Sequence, residues 1–323
     1  MRTSATSRSE FPVFFPAAKN ALFGIITEPA SGAKGVAVII LPGGSNPSVN
    51  INGLSVRFCR RIAASGFHAF RFDYHGVGES SGHTDRVHLA TPFVADLDGA
   101  VACLRARGLE RFILVGSCFG ARTALASAPS IRGLQAIALI SPPVRDFEMG
   151  ETQAQRMAAE LSVRDFVRRA VSTRGVAGLL LAERRRTYYR LAREKLRERR
   201  QTYYRRTLEH WLPEDRERSQ KRGDDHQNRY ATSPRFLDPL RDLIERGTSI
   251  LFVYGDADEY GDEFARALKG VLGEIVLDAP SVSTTTLSGR VHGFVEAEIA
   301  DVVFDRVTRW ILELPLEILT PAR

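Results

Sequence analysis

The chain has 323 residues, 44% of them hydrophobic and 26% charged, a globular balance that excludes wholesale disorder, a collagen-like rod and a multi-span membrane protein. Its net charge of +7 is concentrated: residues 181–222 hold 15 Lys and Arg against 7 Asp and Glu, a local balance of +8. The longest clean apolar run, Val36 to Leu41, is six residues, a strand's length and far short of a membrane span.

The opening MRTSATSRSE is followed by no apolar core of signal-peptide length, so the chain reads as cytoplasmic. Phe11–Phe15 and Ala21–Glu28 read as an antiparallel opening pair, and Gly35–Leu41 as a strand buried on both faces. After the turn PGGSNPS, a helix over Leu54–Ala64 ends at Gly66. The strand Phe67–Tyr74 follows, then a helix within Thr91–Arg107 whose apolar residues Phe93, Val94, Leu97, Ala100, Val101 and Leu104 fall on one face. Arg111–Val115 is the next strand, Ala121–Ala128 a small-residue helix, and Leu134–Ile140 a strand closed by Pro142 and Pro143.

Residues 144–235 break this rhythm. The segment is Arg-rich, helical in composition and without a strand-like run, and TYYR occurs in it twice, at 187–190 and 202–205, about four helical turns apart. It reads as an inserted helical, basic cap. The alternation resumes with the strand Ser249–Tyr254, an acidic turn, a helix around Phe264–Val271, a strand near Ser283–Leu287 and a final helix from about Val295 to Leu312. The organisation is therefore α/β: a core in two parts, 1–143 and 236–323, around a cap at 144–235.

Gly116-Ser117-Cys118-Phe119-Gly120 lies between a predicted strand and a predicted helix, the context of a nucleophile elbow. Glycines two before and two after the centre leave room where a Cβ would strike neighbouring backbone, and they select Cys118 over Ser117. A helix N-terminus also favours the thiolate. Cys59 and Cys103, on helical faces, suit plain packing. Three cysteines without CxxC spacing oppose a disulfide framework or a thiolate zinc site. No P-loop, HExxH or EF-hand pattern is present, and GVGES followed by Ser81 fails the dinucleotide fingerprint, so no cofactor or metal is expected.

These residues resemble the α/β-hydrolase superfamily, in its lipase, thioesterase and serine-aminopeptidase-like branch, with cysteine in place of the usual serine. The resemblance spans most of 20–143 and 236–315. It includes Leu41-Pro42-Gly43-Gly44, with Pro42 where the family has histidine, and Asp73-Tyr74-His75-Gly76-Val77-Gly78-Glu79-Ser80, where it has a D-x-x-G-x-G-x-S loop. It implies a mostly parallel central sheet flanked by helices, with oxyanion N–H groups on Gly44 and Phe119. The late segment Arg290-Val291-His292-Gly293-Phe294 implies His292 as base. Gly255-Asp256-Ala257-Asp258 aligns the acid with Asp258, with Asp256 in the same turn and Asp146 after the preceding strand as rivals.

The resulting expectation is a hydrolase that cleaves an ester, thioester or lactone through an acyl-Cys118 intermediate. An acyltransferase that passes the group from a CoA or carrier-protein thioester to an amine or alcohol is the alternative, because a thioester intermediate reacts readily with amines. A non-catalytic binding module on the same fold is the alternative of another class. The expected partners are the acyl ester or thioester and, at the basic cap, an acyl carrier protein or a CoA phosphate. Nucleic acid is not expected there, because Glu183, Glu194, Glu198, Glu209 and Glu217 are spaced to pair with the arginines.

Overall fold

Every residue of Val36–Leu41 is buried, and alternate side chains serve opposite faces. Ala37, Ile39 and Leu41 join one apolar cluster; Val36, Val38 and Ile40 join another. A strand that must feed two cores cannot alternate apolar with polar, which is why it reads as one unbroken hydrophobic run. The structure, a computed structural model, describes residues 9–149 and 232–315 except 45, 51–52, 85–86, 147 and 295–296. The chain divides into two units, Met1–Met149 with Tyr230–Arg323 and Gly150–Arg229, and all described residues belong to the first.

In chain order the strands are β1 (Glu10–Ala17), β2 (Asn20–Thr27), β3 (Val36–Leu41), β4 (His68–Phe72), β5 (Val87–His88), β6 (Arg111–Ser117), β7 (Leu134–Ile140), β8 (Glu148–Met149), β9 (Ser249–Gly255) and β10 (Val282–Leu287). The helices are α1 (Leu54–Ala64), α2 (Val94–Arg105), α3 (Phe119–Ser127), α4 (Pro234–Glu245), α5 (Glu259–Ala267), α6 (Val271–Val276) and α7 (Ala297–Glu313). Eight strands form one sheet in the order β1-β2-β4-β3-β6-β7-β9-β10. Within this sheet β2 pairs antiparallel with both β1 and β4, and from β4 through β3, β6, β7 and β9 to β10 every pairing is parallel. Pro12 and Pro16 lie in the edge strand β1, where missing N–H groups do least harm and discourage pairing with another chain.

The two faces are covered differently. Phe58 and Ile62 of α1 meet Val303, Phe304, Val307 and Ile311 of α7 over one face, with the Phe58 and Phe304 rings stacked at 4.4 Å. Over the other, Leu97 and Leu104 of α2, Ala121 and Leu125 of α3, and Phe236 and Leu240 of α4 pack on Leu114, Leu139 and Phe252. Cys59 is wholly enclosed in the first of these layers, and burial pushes its thiol up to about 12. Burial also raises Cys103, although the Arg107 guanidinium lies 3.1 Å from its sulfur.

The Cys59 shift has a stability consequence of definite sign. The unfolded chain releases this proton in the ordinary thiol range while the folded chain keeps it, so the stability is present below that range and is lost as pH rises toward the folded value. Urea unfolding between about pH 9 and pH 11 should show a loss of roughly 1 kcal/mol per pH unit from this group. Cys59→Ala should flatten that slope by the same amount, whatever it does to the stability at neutral pH. An unchanged slope would refute the assignment.

Several sequence expectations are corrected. The helix placed at Phe264–Val271 is two helices, α5 and α6, interrupted at Leu268–Gly270. The acidic turn after β9 is present over residues 255–258, but the helix that follows begins at Glu259, earlier than expected, with Glu259 and Asp262 at the positive end of its dipole. The two-residue strand β8 pairs with β5 inside a segment expected to hold no strand. Where the predicted cap ends at residue 235, the unexpected helix α4 begins at Pro234 with Ser233 as its N-cap. The rest of the cap, with its TYYR copies and the carrier-protein or CoA docking surface expected there, lies outside the described residues. No helix among the described residues is long and apolar enough to cross a membrane.

Candidate active site

Each expected site residue sits at or just beyond the carboxyl end of a strand in the parallel part of the sheet. Gly43 and Gly44 follow β3, Cys118 follows β6, Asp258 follows β9 and His292 follows β10. After β3 the chain crosses to α1 on one face, and after β6, its neighbour in the sheet, to α3 on the other. The two loops therefore diverge, and the crevice where they part is where open α/β sheets bind ligands.

Cys118 adopts φ 51° and ψ −112°, a left-handed conformation uncommon for any side-chain-bearing residue. The strain is held from several sides. The Cys118 N–H donates to the Ile140 carbonyl at 2.9 Å, and its own carbonyl accepts from the N–H groups of Ala121 and Arg122. A Cβ on Gly116 would stand 2.5 Å from the Gly120 carbonyl oxygen, and one on Gly120 would stand 2.3 Å from that of Leu41. Both glycines are thus required by backbone approaching backbone, as the elbow pattern demands.

The turn after β3 lies against this elbow: a Cβ built on Gly43 would be 3.5 Å from that of Cys118. Gly44 is buried with φ 56°. Phe119, also buried, opens α3, so its N–H is among those a helix leaves without an internal acceptor. The D-x-x-G-x-G-x-S loop braces the same turn. Buried Asp73 accepts the Ser48 N–H at 2.5 Å and the Glu79 N–H at 3.2 Å, while the Ser80 hydroxyl donates to the Asp73 carbonyl.

The three carboxylates have separate fates. Asp258 is buried at the N-cap position of α5 yet makes no capping bond. Its Oδ2 accepts from the Ser141 hydroxyl (2.8 Å) and the Gly255 N–H (2.9 Å), and its Oδ1 from the His292 N–H (2.8 Å). Asp256 is exposed and accepts the Gly289 N–H, closing the turns after β9 and β10. Asp146 pairs with the buried Arg122 guanidinium at 2.5 Å and accepts the Ser233 hydroxyl at 2.7 Å. Arg122 also donates to the carbonyls of Leu89 and Pro143. Burial pulls Arg122 below the usual arginine range, against the attraction of Asp146.

His292 opens a tight turn in which Gly293 and Phe294 both have positive φ. Its ring meets buried Tyr260 edge-to-face at 4.5 Å, and Nδ1 lies 3.9 Å from the Glu259 carboxylate. The structure therefore joins Asp258 to the His292 backbone and the glycine turn to Cys118, and it commits Asp146 to Arg122. Sequence reasoning missed Ser141, Tyr260 and Arg122. A serine before two prolines, a tyrosine in an acidic stretch and an arginine in a small-residue helix carry no pattern that sets them apart. Among the described residues no group of three or more His, Cys, Asp or Glu is placed to hold a metal ion.

A family described as "Alpha/beta hydrolase family" matches residues 38–301. No curated protein matches. Among solved structures, the chain is similar to the esterase Pf2001 of Pyrococcus furiosus (13% identity, 96% of this chain and 94% of that one, TM-score 0.55). It is similar also to Est1E of Butyrivibrio proteoclasticus, solved with ferulic acid bound (14%, 94% and 98%, TM-score 0.55). A third is an alpha-beta serine hydrolase homologue from Coxiella burnetii (14%, 93% and 97%, TM-score 0.54). At these identities the likeness is one of fold.

Proposed function

Because the chain belongs to the alpha/beta hydrolase family, we propose that it is a hydrolase that takes the acyl group of an ester, thioester or lactone onto Cys118. The observation that carries this reading is the strained conformation of Cys118 between two glycines that backbone contacts require. A residue is held at such φ and ψ only where its surroundings over-determine it, and such positions cluster at reactive sites. The mapped esterase and serine hydrolase neighbours accord with acyl chemistry on this fold.

In this reading the His292 imidazole takes the Cys118 thiol proton and becomes imidazolium, and the sulfur attacks the carbonyl carbon to form a C–S bond while the carbonyl π pair moves onto oxygen. The N–H groups of Gly44 and Phe119 receive that oxyanion, a contribution of about 3 kcal/mol each in a water-excluded site. Collapse of the tetrahedral intermediate breaks the bond to the leaving oxygen or sulfur, which takes a proton from the His292 imidazolium. Water then attacks the thioester with His292 accepting its proton, the acid product leaves, and the thiol is restored. Asp258 holds the imidazole through both halves.

Esters and thioesters are favoured over amides, since a thiolate attacks them readily and their leaving groups need less help from an acid. Intact mass spectrometry after brief exposure to a panel of acyl thioesters, aryl esters and lactones tests the reading. The expected result is a single acyl adduct on the peptide containing Cys118, discharged by water with time. Adducts that appear only when an amine or alcohol is withheld would instead point to acyl transfer. Failure of every member of the panel to label Cys118, in a protein that remains folded, would overturn the proposal.

A further inference from the structure

We infer that Ser141 is a positioning residue of the acid–base arm, using its hydroxyl to fix which lone pair of Asp258 is left for the His292 imidazole. The inference rests on the reading of Asp258 and His292 given above. An ionised carboxylate offers about four acceptor sites, two on each oxygen. On Asp258, Oδ2 takes the Ser141 hydroxyl and the Gly255 N–H, and Oδ1 takes the His292 N–H. Three of the four are accounted for by fixed donors, and the fourth is on Oδ1, the oxygen already bonded to the histidine's own backbone.

Two of those donors are backbone groups that any residue would supply. The hydroxyl is the one that depends on side-chain identity. It comes from a different strand end, 117 residues away in sequence. Ser141 is fully buried and has φ 44°, and its N–H donates to the Val253 carbonyl, so the turn after β7 is held against β9. A positive φ is costly for serine and comfortable for glycine. The chain therefore places a hydroxyl where backbone conformation alone would favour none. With the hydroxyl removed, Oδ2 loses one of its two donors and the carboxylate is freer to rotate about its Cβ–Cγ bond. The imidazole then loses orientation, and the transition state suffers more than substrate binding does.

The backbone strain supplies the control that separates hydroxyl from fold. Ser141→Gly removes the hydroxyl while relieving the strain; Ser141→Ala removes it and keeps the strain. Hydrolysis of a 4-nitrophenyl acyl ester is measured for both variants and for Asp258→Asn, with thermal unfolding and the rate of Cys118 alkylation by iodoacetamide at fixed pH in parallel. Both Ser141 variants are expected to lose about tenfold in kcat with KM within about twofold, an effect of one side-chain hydrogen bond to a charged group. Alkylation should slow in step, and the glycine variant should melt no lower than the alanine one. If both variants retain wild-type kcat while Asp258→Asn is impaired, the role of Ser141 is refuted and that of Asp258 stands. If Asp258→Asn itself retains full activity, the acid assignment fails and Ser141 falls with it. A loss in Ser141→Ala that is fully restored in Ser141→Gly would show that backbone fit, not the hydroxyl, is what matters, and would also overturn the inference.

Discussion

Cys118→Ala is expected to abolish acyl transfer to the protein and to lower kcat/KM for an aryl ester or thioester by at least about 10⁴-fold, the loss seen when a covalent nucleophile is removed. The argument is local. Alanine has the same backbone preferences as cysteine at φ 51°, so the elbow, its bond to the Ile140 carbonyl and the first turn of α3 have no reason to change. The substitution removes only the sulfur, at a stability cost of about 1 kcal/mol for a small buried group. Activity and folding should therefore separate cleanly, with near-native thermal unfolding beside lost turnover. Under the proposed mechanism, Cys118→Ser puts a less acidic oxygen nucleophile on the same turn, one that depends wholly on the base to remove its proton, so slow ester hydrolysis should persist. Alkylation provides a second reading, since burial raises the thiols of both Cys59 and Cys103 and leaves them poor competitors at neutral pH. If Cys118→Ala hydrolyses esters at the wild-type rate, the covalent mechanism is wrong.

What could be read from the chain, and what could not, divides along a physical line. Strands such as Val36–Leu41 and Leu134–Ile140 were legible because burial on two faces leaves a signature in every residue. The elbow was legible because its geometry forbids a Cβ at Gly116 and Gly120, a constraint that sequence must obey. By contrast, Asp258, Asp256 and Asp146 are chemically alike, and only the placement of their partners tells them apart. Ser141 reaches Asp258 across 117 residues, and no local pattern encodes so distant a contact. The start of α5 was placed late for a related reason: Glu259 and Asp262 suit a helix N-terminus as well as the solvated turn that precedes it, and the buried apolar residues Tyr260 and Phe264 carry the helix back to Glu259.

Three conservative amide substitutions should sort those carboxylates, and the largest effect is expected at Asp258. Asparagine fits the same volume but carries N–H groups on one side, where Asp258 meets donors from Ser141, Gly255 and His292 on both oxygens. At least one of these donors must then face another donor. That mismatch costs about 1–3 kcal/mol of stability, and in the mechanism proposed above, loss of the carboxylate charge bonded to the His292 backbone N–H should lower kcat by about 10³- to 10⁴-fold. Asp256→Asn still accepts the Gly289 N–H through its carbonyl oxygen and stands in solvent, so stability should hold to within about 0.5 kcal/mol, and turnover should hold with it. Asp146→Asn should behave differently from both. It leaves the buried Arg122 guanidinium without its counter-charge, and breaking a buried pair in this way costs about 3–5 kcal/mol. The folded fraction should nevertheless turn over at close to the native kcat, because Asp146 is bonded to Arg122 and Ser233 and not to the histidine turn. Measuring kcat and the urea midpoint for all three variants resolves the assignment. Lost turnover at modest stability cost marks the orienting acid, and lost stability at native turnover marks a structural pair. If Asp256→Asn or Asp146→Asn produced the catalytic pattern and Asp258→Asn did not, the acid would have to be reassigned to that residue.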